Sequence, residues 1–331
     1  MSYLGTTGNE TGMGALLDAA GRLTLLEGAP GGNVCRPASF LIAVDPATGQ
    51  VADREGVLNL TGLNATLAVD PSGVFHTAGL SGSPGDPFAV TAKDAAYFGT
   101  VMLARVDLAR RDEFVPWCAA NAASYTQQRR YGGAPFSVAP GEIFSVFGVG
   151  LTPAPQLSLG GRPLPVLYAA DGQINAAVPY DVPTGNSTLT IARGAYAASY
   201  PVEVAAVFPG IFTLDGTHAA VINQDGTVNS AANPAPRGSI IAVYATGLGP
   251  LDTAGYPATG FQLFIEADTG SNAAGMEILY AGQAPGLPVG AYQVNARIPA
   301  PAKAGEPLLR FAFSAPWFEL SQDTVRIFVA P

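Results

Sequence analysis

Two stretches of this chain repeat each other, and that repetition limits the folds open to it more than any other feature. Pro140-Gly-Glu-Ile-Phe-Ser-Val-Phe-Gly-Val-Gly-Leu-Thr-Pro153 is answered 97 residues later by Arg237-Gly-Ser-Ile-Ile-Ala-Val-Tyr-Ala-Thr-Gly-Leu-Gly-Pro250. A second block follows in each copy. Leu167-Tyr168-Ala169, Gln173-x-Asn175-Ala176-x-x-Pro179, Gly185 and Leu189 correspond to Leu279-Tyr280-Ala281, Gln293-x-Asn295-Ala296-x-x-Pro299, Gly305 and Leu309. The offset there is 120 residues, so the second copy carries an insertion between its blocks. Duplicated units of this size, rich in short apolar runs and turns, predict tandem β-sandwiches.

The composition agrees. Gly (40) and Pro (28) punctuate many short strands and oppose long helices. Only 12% of residues are charged, about half the usual share, so the surface is built from small polar residues and Ala. That pattern fits secreted and cell-surface β proteins. The net charge is −9 and Lys occurs only at Lys93 and Lys303. A nucleic-acid partner needs a basic stripe; Arg110-Arg111 and Arg129-Arg130 are too short to make one. No run reaches the roughly 18–20 apolar residues of a membrane-spanning helix. The first residues, Met1-Ser-Tyr-Leu-Gly5, lack a signal peptide's basic and apolar regions. An exported form would have lost its signal, or the chain is a fragment of a longer one. No feature indicates the oligomeric state.

Cys35 and Cys118 either pair or remain as two buried thiols. A disulfide would close 83 residues and contribute about 4–5 kcal/mol in the chain-entropy account.

Residues 1–115 contain a weaker repeat. Leu17-Asp18-Ala-Ala-Gly21 followed by Leu23 matches Val69-Asp70-Pro-Ser-Gly73 followed by Phe75, and Leu41-Ile-Ala-Val44-Asp45 matches Leu103-Ala-Arg-Val106-Asp107. Each Asp-x-x-Gly reads as a turn in which Asp caps its own backbone and Gly takes positive φ. Two such units predict an incomplete, β-propeller-like region of about two blades. Residues 112–135 read as a linker plus the first strand of the next domain. The expected domains are 1–115, propeller-like repeats; 116–213, a first immunoglobulin-like sandwich closed by Phe208-Pro-Gly-Ile-Phe212; and 214–331, a second sandwich ending in Pro316-Trp317-Phe318 and Val325–Val329. Ile143–Phe147 is apolar on both faces and predicts a strand buried on both sides. The fold class is all-β.

Several motifs resemble a known family. Asn121-Ala-Ala-Ser124, Ala139-Pro-Gly-Glu142, Phe147-Gly-x-Gly-Leu151, Leu167-Tyr-Ala169, Gln173-Ile-Asn175, Pro209-Gly-Ile-Phe212, Asn223-Gln-Asp-Gly226 and Asn229-Ser-Ala-Ala-Asn-Pro234 together look like the Solibacter-type uncharacterised paralogous C-terminal domain. The likeness covers about residues 118–331. Tyr3-Leu-Gly5, Asp70-Pro-Ser-Gly73 and Leu103-Ala-Arg-Val-Asp107 resemble the bacterial β-propeller repeat that often precedes it. The resemblance implies a large exported protein with an immunoglobulin-like tail, and it implies no catalytic residues.

The chemistry-bearing residues are few. His76 and His218 are the two histidines, and Asp215 near His218 is explained by a Leu214-Asp-Gly-Thr217 turn. No G-x-S-x-G elbow or nucleotide loop accompanies them. Two His and two Cys without ligand spacing do not make a zinc site. Asn223, Asp225 and Asn229 have some calcium-loop spacing, but Asp225-Gly226 between apolar runs is foremost a hairpin turn. No cofactor is expected. Gly148-Val-Gly150 and Gly247-Leu-Gly249 mark bends that only Gly fits, with Gly150 and Gly247 at positive φ. The repeated Gln173/Asn175 and Gln293/Asn295 read as side-chain caps on loop backbone, or as a duplicated ligand site. The 12 Tyr and 16 Phe serve core packing, unless exposed rings stack on sugars. Sequons at Asn9, Asn59, Asn64 and Asn186 occur at about chance frequency.

The expected function is a non-enzymatic, exported structural or adhesive module of a larger cell-surface or secreted protein, extracellular in location, with a glycan or protein partner. The alternative is a carbohydrate-binding accessory module, attached to a polysaccharide-acting enzyme.

Overall fold

The computed structural model describes residues 11–17, 23–28, 39–45, 47–48, 51–58, 66–69, 75–80, 97–98, 101–106, 115–126, 136–170, 172–194, 196–267, 273–314 and 319–331. These residues contain strands and turns and no helix. The chain divides into two compact units. One is Met1–Cys118 with Phe147–Leu151, and the other is Ala119–Val146 with Thr152–Pro331.

The first unit contains two four-stranded antiparallel sheets, each the size of a propeller blade. Strands β1 (Thr11–Leu17), β2 (Leu23–Gly28), β3 (Ser39–Val44) and β4 (Val51–Leu58) form a simple meander. Strands β5 (Thr66–Val69), β6 (Phe75–Leu80), β7 (Tyr97–Phe98) and β8 (Val101–Val106) pair in the order β5-β6-β8-β7. The repeat seen in the sequence survives this reordering. Leu41–Val44 in β3 and Leu103–Val106 in β8 both occupy the third place of their sheet. What differs is the fourth strand, which follows its neighbour in the first sheet and precedes it in the second. His76 lies on β6 opposite Arg105. Cys35, the Asp70–Gly73 turn, Trp317 and Phe318 lie outside the described residues, as does the Cys118 side chain.

The tail is built twice. Its first half uses β9 (Val115–Asn121), β10 (Ser137–Val138), β11 (Ile143–Val149), β12 (Gln156–Leu159), β13 (Arg162–Leu164), β14 (Val166–Ala170), β15 (Gln173–Ala177), β16 (Gly185–Arg193) and β17 (Tyr196–Val204). They form two sheets, β14-β15-β11-β9 and β13-β12-β16-β17-β10. The second half uses β18 (Gly210–Ile211), β19 (Val221–Asn223), β20 (Ile240–Thr246), β21 (Phe261–Glu266), β22 (Ala274–Gly275), β23 (Glu277–Gln283), β24 (Tyr292–Arg297), β25 (Leu308–Phe313) and β26 (Glu319–Leu320). Its sheets run β23-β24-β20-β18, with β19 also on β20, and β22-β21-β25-β26. Eight strands correspond, β14-β15-β11-β9 with β23-β24-β20-β18 and β13-β12-β16-β17 with β22-β21-β25-β26, while β10 and β19 have no counterpart strand; each half is an immunoglobulin-like sandwich.

The likeness extends to irregularities. A bulge falls between Val166 and Tyr168 in the β14–β15 ladder and between Ile278 and Tyr280 in the β23–β24 ladder. Tyr168 then pairs with Asn175 as Tyr280 pairs with Asn295. The parallel contact of Val138 with Val204 recurs as the parallel bridge of Ala235 with Val329. Such shared bulges are inherited features of a fold rather than packing accidents. Asp225-Gly226 makes the expected turn: Gly226 has φ +83°, and the Asn223 amide donates to the Thr227 carbonyl at 2.8 Å.

Burial follows the pleat. Leu189 and Ile191 are buried while Thr190 between them is half-buried, and Val202, Glu203 and Val204 alternate likewise. Ile143–Val146 is buried on both faces, as its apolar pattern predicts. The second sandwich encloses a core in which Tyr292, Phe311, Phe313, Ile241 and Val294 are fully buried.

One boundary is corrected. Gly210 and Ile211 do not close the first sandwich; they pair with Thr246 and Ala245 as an edge strand of the second. The apolar Pro209–Phe212 run signals a strand, and a strand's sheet is set by long-range pairing that its own residues do not encode.

Candidate functional site

A group of buried polar residues within the second unit, Asn121, Glu142 and Thr246, lies where the two sandwiches meet. It begins with the tight turn Ala139-Pro140-Gly141-Glu142 ahead of β11. Gly141 takes φ +69°, a conformation that suits only Gly at low strain. The Glu142 amide donates to the Ala139 carbonyl at 3.0 Å, and the Ala139 amide donates to Glu142 Oε2 at 2.6 Å. The turn is tied to the rest of its sandwich by the Gly141 amide on the Val178 carbonyl, 2.9 Å, and the Val178 amide on the Glu142 carbonyl, 2.8 Å.

The second sandwich meets this turn with backbone and hydroxyl groups. The Gly247 amide donates to the Gly141 carbonyl at 3.3 Å. Thr246 Oγ1 accepts from the Ile143 amide at 2.7 Å and donates to the Gly290 carbonyl at 2.8 Å. Tyr180, from the first sandwich, packs against the core of the second. Its ring meets Tyr292 edge to face, with centroids 5.7 Å apart. Its hydroxyl accepts from the Gly290 amide at 3.2 Å and donates to Gln283 Oε1, while the Tyr292 hydroxyl donates to the Gly249 carbonyl. Asn121 Nδ2 donates to the Phe208 carbonyl at 2.9 Å, and its Oδ1 accepts from the Ala123 and Ser124 amides.

Electrostatics follow from the enclosure. Burial holds the Glu142 carboxyl well above the usual carboxylate range, only partly offset by the Ala139 amide. Burial likewise raises the phenols of Tyr180 and Tyr292, the latter also through the neighbouring Tyr180 and Glu142. Glu142 is fully buried and its Oε1 has no hydrogen-bond partner. A general acid or base must come within hydrogen-bond reach of a substrate. A carboxyl sealed in this way does not; its observed contact is the cap on the Ala139 amide.

Of the site residues singled out in the sequence, Gly247 reaches this junction and the other described ones fall elsewhere. Gly150 and Gly247 have φ +63° and +70°, as expected. Gln173 and Asn175 lie two apart on β15, hence on one face, and Gln173 Nε2 donates to Asn175 Oδ1 at 2.8 Å. Gln293 and Asn295 on β24 do the same at 2.8 Å. These are side-chain pairs on strands, which corrects the expectation of caps on loop backbone. In the first copy Ser145 Oγ also donates to Asn175 Oδ1, at 3.0 Å; Ala242 replaces that serine in the second. Asn223, Asp225 and Asn229 interlock around their turn. Asn229 Nδ2 donates to Asn223 Oδ1 at 3.0 Å, Asn229 Oδ1 accepts from the Phe328 amide at 2.8 Å, and Asp225 Oδ1 accepts from the Thr227 amide and hydroxyl. Among the described residues, no three His, Cys, Asp or Glu side chains gather as metal ligands. Asn186 is exposed on β16.

Asp215 does more than turn the chain. Oδ1 accepts from the Thr217 and His218 amides, and Oδ2 is 2.6 Å from His218 Nδ1. The imidazole stacks on Phe328 at 4.5 Å, and Nε2 faces Glu306 at 3.6 Å. The nitrogen that would activate a hydroxyl in a triad thus faces a second carboxylate. Asp215, and then Glu306, raise the His218 pKa. Because the folded value lies above the unfolded one, the stabilisation is full below the unfolded pKa and is lost as pH rises through the folded value. Asp215 is lowered by the same contact, so its share is lost only as pH falls through its own depressed value. We expect Asp215→Asn to lower the His218 titration midpoint by NMR; an unchanged midpoint would contradict the pairing.

Sequence reasoning missed the junction. Pro140-Gly-Glu142 was visible as a motif, but nothing local shows that its acid is enclosed by a partner sandwich.

Comparison with known proteins yields no matching family model and no matching curated protein. Among solved structures, the chain is similar to the Bacteroides ovatus mixed-linkage glucan utilization locus protein SGBP-B in complex with a mixed-linkage heptasaccharide. The identity is 13% and the TM-score 0.29, over 85% of this chain and 59% of that one. It is also similar to gamma-CGTase from the alkalophilic Bacillus clarkii, at 10% identity and TM-score 0.23 over 98% of this chain and 41% of that one. The titin tandem domains A164–A165 match at 11% and 0.18, over 58% of this chain and 93% of theirs. The chain thus spans less than two thirds of the first two proteins. With TM-scores this low, these likenesses carry no functional argument.

Proposed function

We propose that this chain is a non-enzymatic module of a larger exported protein, in which the twin sandwiches form a stiff spacer that presents neighbouring domains at a cell surface. The resemblance of residues 118–331 to the Solibacter-type tail and the low content of charged residues support export and modularity. The observation that carries the spacer role is the closed junction. Hydrogen bonds from the Gly247 amide to Gly141, from the Ile143 amide to Thr246 and from the Gly290 amide to Tyr180 span it, and the Glu142 carboxyl is sealed inside. A flexible linker between domains has few contacts crossing it; this junction is continuous with both sandwiches.

Pulse hydrogen exchange across a urea titration of the full chain tests the reading. Peptides from β15–β17 and from β23–β25 should lose protection at one shared urea midpoint. In Gly141→Val, whose added side chain would run into Tyr180 and Tyr292, the two midpoints should separate. Separate midpoints already in the unaltered chain would overturn the proposal.

A further inference from the structure

The outer face of the second sandwich's β22-β21-β25-β26 sheet breaks the rule that its twin obeys. Alternation puts Leu263 and Ile265 into the core and leaves Gln262, Phe264 and Glu266 facing outward. Across the ladder Phe264 pairs with Arg310, and Gln262 with Ala312. Outward positions on an antiparallel sheet are ordinarily polar and solvated. Here Glu266 and Arg310 are 7% and 5% exposed. Arg310 Nη1 is 3.4 Å from Glu266 Oε2, and Arg310 Nε has no hydrogen-bond partner. A buried ion pair with an unsatisfied donor is a poor stabiliser.

The duplication supplies an internal control. In the first sandwich, the equivalents of Phe264 and Arg310 are Ser158 and Thr190, themselves a cross-strand pair, and Gln262 corresponds to Gln156. Gly160 follows where Glu266 stands. The same fold therefore stands with small polar residues on this face. The aromatic ring, the acid and the guanidinium were not needed to build it.

These residues line a cleft of about 680 Å³, together with Phe261. That volume is within the range of small-molecule sites. The cleft's chemistry narrows the ligand. An adjoining guanidinium and carboxylate offer donors and acceptors side by side with no net charge. An anion would meet Glu266 and a chain of net charge −9, and a cation would meet Arg310. A purely apolar ligand would leave the ion pair unanswered. A sugar hydroxyl both donates and accepts, and vicinal hydroxyls match the paired groups, while Phe261 and Phe264 offer apolar ring surface for the sugar's C–H face.

We propose that this cleft, framed by Phe261, Gln262, Phe264, Glu266 and Arg310, binds a neutral carbohydrate through a vicinal diol. The site is separate from the spacer role. Unaltered exchange midpoints with lost binding would fail only this proposal, and the converse would fail only the other.

Affinity electrophoresis of the full chain through gels containing mixed-linkage β-glucan, amylose, galactomannan, xylan or polygalacturonate tests it. At least one neutral polysaccharide should retard the protein. Phe264→Ala and Glu266→Gln should each weaken that retardation at least tenfold. A Glu266→Met/Arg310→Met pair should abolish it while leaving the melting temperature equal or higher, since a buried ion pair is replaced by apolar side chains. If Glu266→Gln fails to fold, the partly exposed Phe264 variant and the Met pair still report on the cleft. Absence of retardation by every neutral polysaccharide, retardation by polygalacturonate alone, or retardation indifferent to all three variants would overturn the proposal.

Discussion

Gly247→Ala should destabilise the second unit by about 3–4 kcal/mol and lower its melting temperature by roughly 10 °C. Two terms add. Gly247 has φ +70°, where an L-residue pays about 1–2 kcal/mol. A Cβ there would also run into the Phe208 carbonyl, a backbone atom held by its own bond from Asn121 Nδ2 at 2.9 Å. Backbone cannot swing aside as a side chain does, so overpacking adds about 1–3 kcal/mol. Gly255→Ala separates the terms. Its φ is +84°, but a Cβ there meets open space, so only the strain of about 1 kcal/mol applies. Thermal unfolding by circular dichroism compares the two. Equal, small shifts would mean that Gly247 is not pinned against Phe208.

Glu142→Gln is expected to change how stability depends on pH. In the folded chain the carboxyl titrates well above its ordinary value because burial disfavours the anion. Between the unfolded and folded values the native state holds a proton that the unfolded state has released. Stability from this group is therefore full below the unfolded pKa and is lost as pH rises towards the folded value, by up to about 1.4 kcal/mol per pH unit. Glutamine keeps the shape and an acceptor for the Ala139 amide, and it does not titrate. The variant should match the unaltered chain near pH 4 and exceed it near pH 8 in urea unfolding. Parallel pH profiles would show that burial does not raise the Glu142 carboxyl.

Much of the fold was legible because duplication writes it twice. The repeated Leu-Tyr-Ala and Gln-x-Asn blocks became paired strands with the same bulge, and Gly150 and Gly247 took the same backbone conformation. Local rules sufficed there, since a bulge, an Asp-Gly turn and a positive φ depend on a few neighbouring residues. Partnership over long range was not legible. Nothing around Gly210-Ile211 says which sheet they join, and nothing around Glu142 says that Tyr180 and Tyr292 enclose its turn. The cleft was hidden for another reason. Phe264, Glu266 and Arg310 look ordinary singly; they become unusual only once their ladder places are matched with Ser158, Gly160 and Thr190 of the twin.

The joined sandwiches are tested most directly by residual dipolar couplings of backbone amides in the weakly aligned full-length chain. Couplings from β12–β17 and from β20–β25 should fit one alignment tensor, with common axes and magnitude. Two tensors of different magnitude, one for each sandwich, would mean that they move independently and that the seam at Gly141, Glu142 and Thr246 does not hold them.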